Sequence, residues 1–135
     1  MLCWKSKAHN QFDGWSTNYD RSVLQKLFFR PSHNELLATL DVPPTAHVLD
    51  VGCGTGQFLG RMLSEQPNIK ATGLDLSSGM IEQAVGNLEE FKGRCELVEG
   101  DSEKLPFPDS SFDAVTCVHS FHHYPNQGRV VREMF

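Results

Sequence analysis

The sequence predicts an α/β fold built on a doubly wound parallel sheet, with strands in the spatial order 3-2-1-4 and helices ahead of the first strand. Three observations carry this expectation. Short apolar runs bounded by glycine and proline alternate with stretches of helical periodicity. A glycine cluster, Gly52, Gly54 and Gly56, lies between the first such run and the helical stretch after it. Right-handed crossovers out of that turn then make the chain reverse direction after the third strand.

The elements follow in order. Residues 12–40 read as helix in pieces. Val23, Leu24, Leu27 and Phe28 share a face, Pro31 breaks the run, and Ser32 with Glu35 forms a capping box ahead of Leu36, Leu37 and Leu40. Pro43-Pro44 ends this part and separates an N-terminal helical segment, 1–44, from the sheet-bearing portion, 45–135. Residues 47–51 form the first strand, and Phe58, Leu59, Met62 and Leu63 mark the helix after the glycines. Pro67-Asn68 turns the chain into a second strand, 69–76. Ser77 or Ser78 caps a helix with the stripe Met80, Ile81, Ala84, Val85 and Leu88, and Gly93 is placed to stop it. A third strand runs over 95–99, a polar loop over 100–111 and a fourth strand over 113–118, and Pro125 opens a last helix whose pattern is cut at Phe135.

Composition narrows the function. A chain of 135 residues holds one domain and buries enough surface for a core without disulfide staples. With 12 Lys and Arg against 17 Asp and Glu, the net charge of −5 argues against gripping nucleic-acid phosphates or an anionic membrane. No apolar run approaches the roughly 18 residues of a membrane helix, and the first residues lack the apolar stretch of a signal peptide. A cytoplasmic protein is expected. Cys3, Cys53, Cys95 and Cys117 are scattered, with no C-x-x-C pair, so neither a disulfide framework nor a zinc site is expected. His119, His122 and His123 cluster as H-x-x-H-H, yet nothing near them in sequence completes a ligand set, and no metal is expected.

The glycine turn carries the chemistry. Glycines between strand and helix let a backbone approach a ligand, and the helix start offers N–H donors. Plain tight turns do the same, so context must decide. Asp75 follows the first glycine by about the 20 residues typical of a carboxylate that receives ribose hydroxyls. Dinucleotides and S-adenosylmethionine both fit so far. Asp50, two residues before Gly52 at the end of the first strand, separates them. A pyrophosphate beside it would meet a fixed negative charge in a poorly solvated place, whereas the ammonium and sulfonium of S-adenosylmethionine would be attracted.

The run Val48-Leu49-Asp50-Val51-Gly52-Cys53-Gly54-Thr55-Gly56 resembles the first motif of class I S-adenosylmethionine-dependent methyltransferases, in particular the small-molecule branch of ubiquinone and menaquinone C-methyltransferases. Further stretches agree in order. Thr72-Gly73-Leu74-Asp75-Leu76-Ser77 with Met80 resembles the second-strand motif, Gly100-Asp101-Ser102 with Leu105-Pro106-Phe107 the loop after the third strand, and Ser111-Phe112-Asp113-Ala114-Val115 the start of the fourth strand. Asn18-Tyr19-Asp20 resembles the segment that closes over the methionine end.

The resemblance implies a Rossmann-like sheet and S-adenosyl-L-methionine as cofactor. It implies binding through Tyr19, Asp50, Gly52, Cys53, Gly54, Gly56, Asp75, Leu76, Met80, Asp101, Ser102 and His119, with 1–44 closing the site. Asp75 would hold the ribose hydroxyls, Leu76 and Met80 would flank the adenine, Asp101 would meet its amino group, and His119 would lie near the methionine portion. Each has a plainer role open to it: Asp101 as a loop cap, Met80 as core, Tyr19 as a packing residue, and Cys53 as merely small. Methyl transfer from a sulfonium is an in-line displacement that depends on alignment, so no catalytic residue is named. A proton-accepting His122 or His123 stays open. The Asn/Asp-Pro-Pro-aromatic motif of amino-methyltransferases is replaced by His119-Ser120-Phe121-His122.

The expected activity is methyl transfer to a small-molecule acceptor, with this chain carrying the donor-binding half. Strands five to seven of such a domain are expected to fall outside the 135 residues, leaving the fourth strand an open edge that favours self-association. The alternatives are a non-catalytic S-adenosylmethionine-binding module and, disfavoured by Asp50, an NAD(P)-dependent oxidoreductase.

Overall fold

The computed structural model describes residues 23–118 and 120–135. Their order is α1 (Val23–Thr39), β1 (His47–Val51), α2 (Gln57–Glu65), β2 (Lys70–Asp75), α3 (Ser78–Asn87), β3 (Cys95–Glu99), β4 (Ala114–Thr116) and α4 (Gln127–Met134), with single 3₁₀ turns at Glu89–Phe91 and Phe121–His123. The four strands form one sheet in the order β3-β2-β1-β4. All three pairings are parallel, with Leu49 opposite Thr72 and Val115, and Leu74 opposite Val98. The order and direction agree with the sequence expectation.

β1 and β2 are buried along nearly their whole length, as the middle strands of a sheet covered on both faces must be. On one face, Val48 and Ala71 meet Phe58, Leu59, Met62 and Leu63 of α2 and Ala84 of α3, with Leu36 and Leu37 of α1 behind them. On the other, Leu49, Val51 and Leu74 meet Val98, Leu105, Phe107, Phe112, Tyr124 and Met134. Arg94 closes the lower end of the first layer by donating to the carbonyls of Leu63, Gln66 and Ile69 at 2.9–3.1 Å, which ties the last turn of α2 to the strand that follows.

Several boundaries differ from expectation. Pro31 lies inside α1 and does not break it, and Ser32 with Glu35 is helix interior, not a capping box. The leucines beyond the proline are anchored on the core, which holds the helix through the lost N–H. α3 ends at Asn87 and hands over to the 3₁₀ turn before Gly93 is reached. Of the two serines expected to cap α3, Ser77 does so, in line with expectation, accepting the Met80 N–H at 3.2 Å. β4 has three residues where six were expected. Asp113 is already committed to an exchange with His47, donating to its carbonyl and accepting its N–H, both at 2.8 Å. Beyond Thr116 the chain bends toward β1 through Ser120, whose Oγ donates to the Val51 carbonyl at 3.2 Å. No helix among the described residues is long and apolar enough to cross a membrane.

Candidate functional site

The carboxyl ends of β1, β2 and β3 open on one side of the sheet, and the β1–α2 loop folds over them. Its first amides extend the ladder: the N–H groups of Gly52 and Cys53 both donate to the Leu74 carbonyl, at 2.7 and 3.0 Å. Gly52, Gly54 and Gly56 then take φ of 72°, 56° and 82°, a left-handed path that other residues adopt only with strain. Their surroundings differ. A side chain at Gly56 would press on Leu88, and one at Gly52 would run into Ser120 and Tyr124, whereas Gly54 faces open space. Gly54 is therefore where the backbone can meet a ligand.

Asp75, at the end of β2, holds that loop. One carboxylate oxygen accepts the Gly54 N–H and the other the Ser77 N–H, each at 2.9 Å. A single carboxylate thus fixes both the glycine loop and the start of α3. The next strand end is tied in by Gly100, which donates to the Asp75 carbonyl at 2.9 Å. Asp101 folds its own loop: its Oδ1 accepts the Glu103 N–H at 2.9 Å, and its carbonyl accepts the Lys104 N–H at 3.0 Å. Its loop-capping role is thus present, at a place adjacent to Asp75. Ser102 is buried and Leu76 half-buried.

Asp50 lies beneath the loop. It is only 2% exposed, and its Oδ1 accepts a 2.7 Å hydrogen bond from Thr116 of β4. Burial pushes its carboxyl up to about 7; the Thr116 bond works against that rise and the nearby Asp75 adds to it. The carboxylate is therefore held between two protonation states at neutral pH, in a place where a cation would draw it to the charged one. Cys53 is buried, and desolvation raises its thiol well above the ordinary range, so it is no nucleophile. Met80 is 3% exposed, packed at the first turn of α3. Tyr19, with its neighbours Asn18 and Asp20, and His119 lie outside the described residues.

The sequence reading missed Thr116 and a hydroxyl cluster beside Gly52. Ser120 Oγ lies 3.0 Å from the Tyr124 hydroxyl and 3.2 Å from Cys117 Sγ. The signal available was the spacing of Ser120 and Tyr124, four residues apart just past a strand, which places two hydroxyls on one face of a turn. The neighbouring His122 and His123 rings lie against each other at a tilt of 42°, with centroids 3.9 Å apart. Among the described residues no three His, Cys, Asp or Glu side chains converge as a metal site.

The profile of the methyltransferase-domain family matches residues 48–135. The chain belongs to that family. It is 34% identical over 135 residues to a demethylmenaquinone methyltransferase of Listeria welshimeri, an alignment covering 97% of this chain and 57% of the relative. The chain thus spans a little over half the length of the curated relatives it matches. Among solved structures, a protein in complex with the Haloferax volcanii Trm112 methyltransferase activator is 27% identical, with a TM-score of 0.80 over 91% of this chain and 53% of that one. The [4+2]-cyclase SpnF is 28% identical, with a TM-score of 0.73 over 84% of this chain and 42% of that one. The family is therefore settled, while the fold it shares also serves a reaction other than methyl transfer.

Proposed function

We propose that this chain binds S-adenosylmethionine at the carboxyl ends of β1–β3 and supplies the donor-binding half of methyl transfer to a small molecule. The observation that carries the reading is the Asp75 carboxylate, held against the one loop glycine that faces open space. Two carboxylates, Asp50 and Asp75, bracket the loop closely enough for Asp75 to raise Asp50. That suits a ligand with an ammonium and a sulfonium and opposes a pyrophosphate. Asp75 would receive the ribose hydroxyls; Leu76 and Met80 would flank the adenine, Met80 from within the core; Asp101 and Ser102 would meet its edge. Gly52, Cys53, Gly54 and Gly56 contribute backbone, and Asp50 faces the cationic end from below. Residues 1–44, Tyr19 among them, would close the site, and His119 would line its methionine side. Bound S-adenosylmethionine supplies an already activated methyl group, so the protein's task is alignment of the acceptor.

The relatives named demethylmenaquinone methyltransferases support a quinone-like acceptor, and we propose the cytoplasm as the place of reaction. The likeness to SpnF favours one second reading, a donor-binding module that does not transfer methyl. Calorimetric titration tests the first step. S-adenosylhomocysteine should bind more tightly than NAD, and Asp75→Ala should weaken it by about 1.5–3 kcal/mol through lost charge-assisted hydrogen bonds. Preference for NAD, or unchanged affinity in the variant, would overturn the reading. Single-turnover transfer to quinone-like and phenolic acceptors then separates enzyme from module. We also propose that a second copy pairs along the outer edge of β4, where Val115 is half-buried. Light scattering that finds only monomer across concentration would refute that association.

A further inference from the structure

We propose that Arg129 and Glu133 of α4 are positioning residues for the Asp101–Ser102 turn, and that through it they set the site's preference for adenine. The proposal rests on the reading that Asp101 meets the adenine amino group. Two bonds reach from α4 to this loop. Arg129 Nε donates to the Glu103 carbonyl at 3.0 Å, and Glu133 Oε2 accepts the Leu105 N–H at 3.0 Å. The two side chains stand four residues apart on one helical face, one a donor and one an acceptor. Both grip backbone, two and four residues beyond Asp101, so the grip does not depend on which side chains residues 103 and 105 carry.

The signs of these charges show that the helix itself does not require them. Arg129 is a cation in the first turn of α4 and Glu133 an anion in its last turn, each opposite to what the helix dipole favours. The end of α4 already has its own cap, Asn126, which accepts the Arg129 N–H at 3.0 Å. The helix is anchored by Val130, fully buried, and by Met134 in the second core cluster beside Leu105. A residue pair that breaks a local rule on an otherwise secured helix is compensated elsewhere, and the two loop bonds are the compensation. The internal bonds of Asp101 shape the turn; they do not fix where it sits. Gly100 ties its near side to the Asp75 carbonyl, and the bonds from α4 hold its far side, across 26 and 28 residues of sequence.

Both side chains are exposed, so truncating them leaves the core intact. The test uses the 135-residue chain, titrated with S-adenosylhomocysteine and with its inosine counterpart, in which a carbonyl replaces the adenine amino group. Glu133→Ala should cut the ratio of the two affinities by about threefold to tenfold, the worth of a backbone hydrogen bond acting through the turn. Glu133→Gln, which keeps an acceptor oxygen, should restore the ratio, and Arg132→Ala on the same helix should leave it unchanged. Amide exchange at Leu105 should quicken in Glu133→Ala. An unchanged ratio in Glu133→Ala, or an equal loss for both ligands, overturns the positioning role. Asp101→Asn tells the two ideas apart: if it too leaves the ratio unchanged, the adenine reading fails with it, and if it collapses the ratio while Glu133→Ala does not, the positioning role alone fails.

Discussion

The two halves of the crevice are built by different means. On the β1–β2 side the parts are backbone and a half-buried carboxylate: left-handed glycines, amides bonded to the Leu74 carbonyl, and Asp75 bridging loop and helix. On the β3–β4 side the parts are side chains reaching across long stretches of chain. Thr116 bonds to Asp50, Ser120 to the Val51 carbonyl, and Arg129 and Glu133 to the 103–105 backbone. The first half can be read along a contiguous motif because each group's partner follows from strand and turn geometry. The second exists only once β4 lies beside β1.

Gly52 sits where the halves meet, and it gives the strongest test of the contrast. In Gly52→Ala the new methyl meets Ser120 Oγ, Ser120 Cβ and the Tyr124 hydroxyl, and the backbone keeps a positive φ. Strain and overpacking together should cost about 2–4 kcal/mol in denaturant unfolding. Gly54→Ala carries the strain without the collision and should lose only about 1 kcal/mol. Equal losses would show that the β4 side does not press on the loop.

A smaller effect separates the halves by pH. Asp50 has a folded-state pKa near 7, raised from 3.8 by burial. The folded chain therefore holds a proton that the unfolded chain has released between those values. Its contribution makes stability fall as pH rises from about 4 to about 7 and level off above. Asp50→Asn should remove that slope and stabilise the chain at pH 8 while weakening a cationic ligand. The Thr116 bond lowers this pKa, so Thr116→Val should move the end of the slope upward. A pH profile of unfolding identical in wild type and Asp50→Asn would mean that Asp50 is ionised in place, and the floor of the crevice would carry a fixed charge.

The same division explains what the sequence revealed. The strand order, the glycine turn and Asp75 were legible because parallel pairing and right-handed crossover leave few alternatives. Asp50 was legible as a carboxylate beside the turn. Its burial against Thr116 was not, since nothing in residues 47–51 names a partner 66 residues away. Pro31 misled because a local rule was applied to a helix held by tertiary contacts of Leu36, Leu37 and Leu40. The triple histidine stands out in the loop after β4, and the contacts among the plainer Cys117, Ser120 and Tyr124 beside it carry no comparable sequence signal.

Tyr124 offers the gentlest test of the β4 side. Its hydroxyl lies within reach of Ser120 and Cys117, and its ring meets Phe121 edge-on at 6.2 Å between centroids. Desolvation, first, and the neighbouring Cys117 push its ionisation above that of an ordinary tyrosine. Tyr124→Phe keeps the ring in the second core cluster and removes one hydroxyl from the chain of bonds ending on the Val51 carbonyl. The loss at neutral pH should be about 0.5–1.5 kcal/mol, the net worth of one hydrogen bond. The difference narrows at high pH. The folded chain keeps the phenol proton where the unfolded chain releases it, so wild type loses stability as pH rises above about 10 while Tyr124→Phe is spared this. The two unfolding curves should converge there. Parallel curves through that range would place the hydroxyl in contact with solvent and outside the chain of bonds that ends on the Val51 carbonyl.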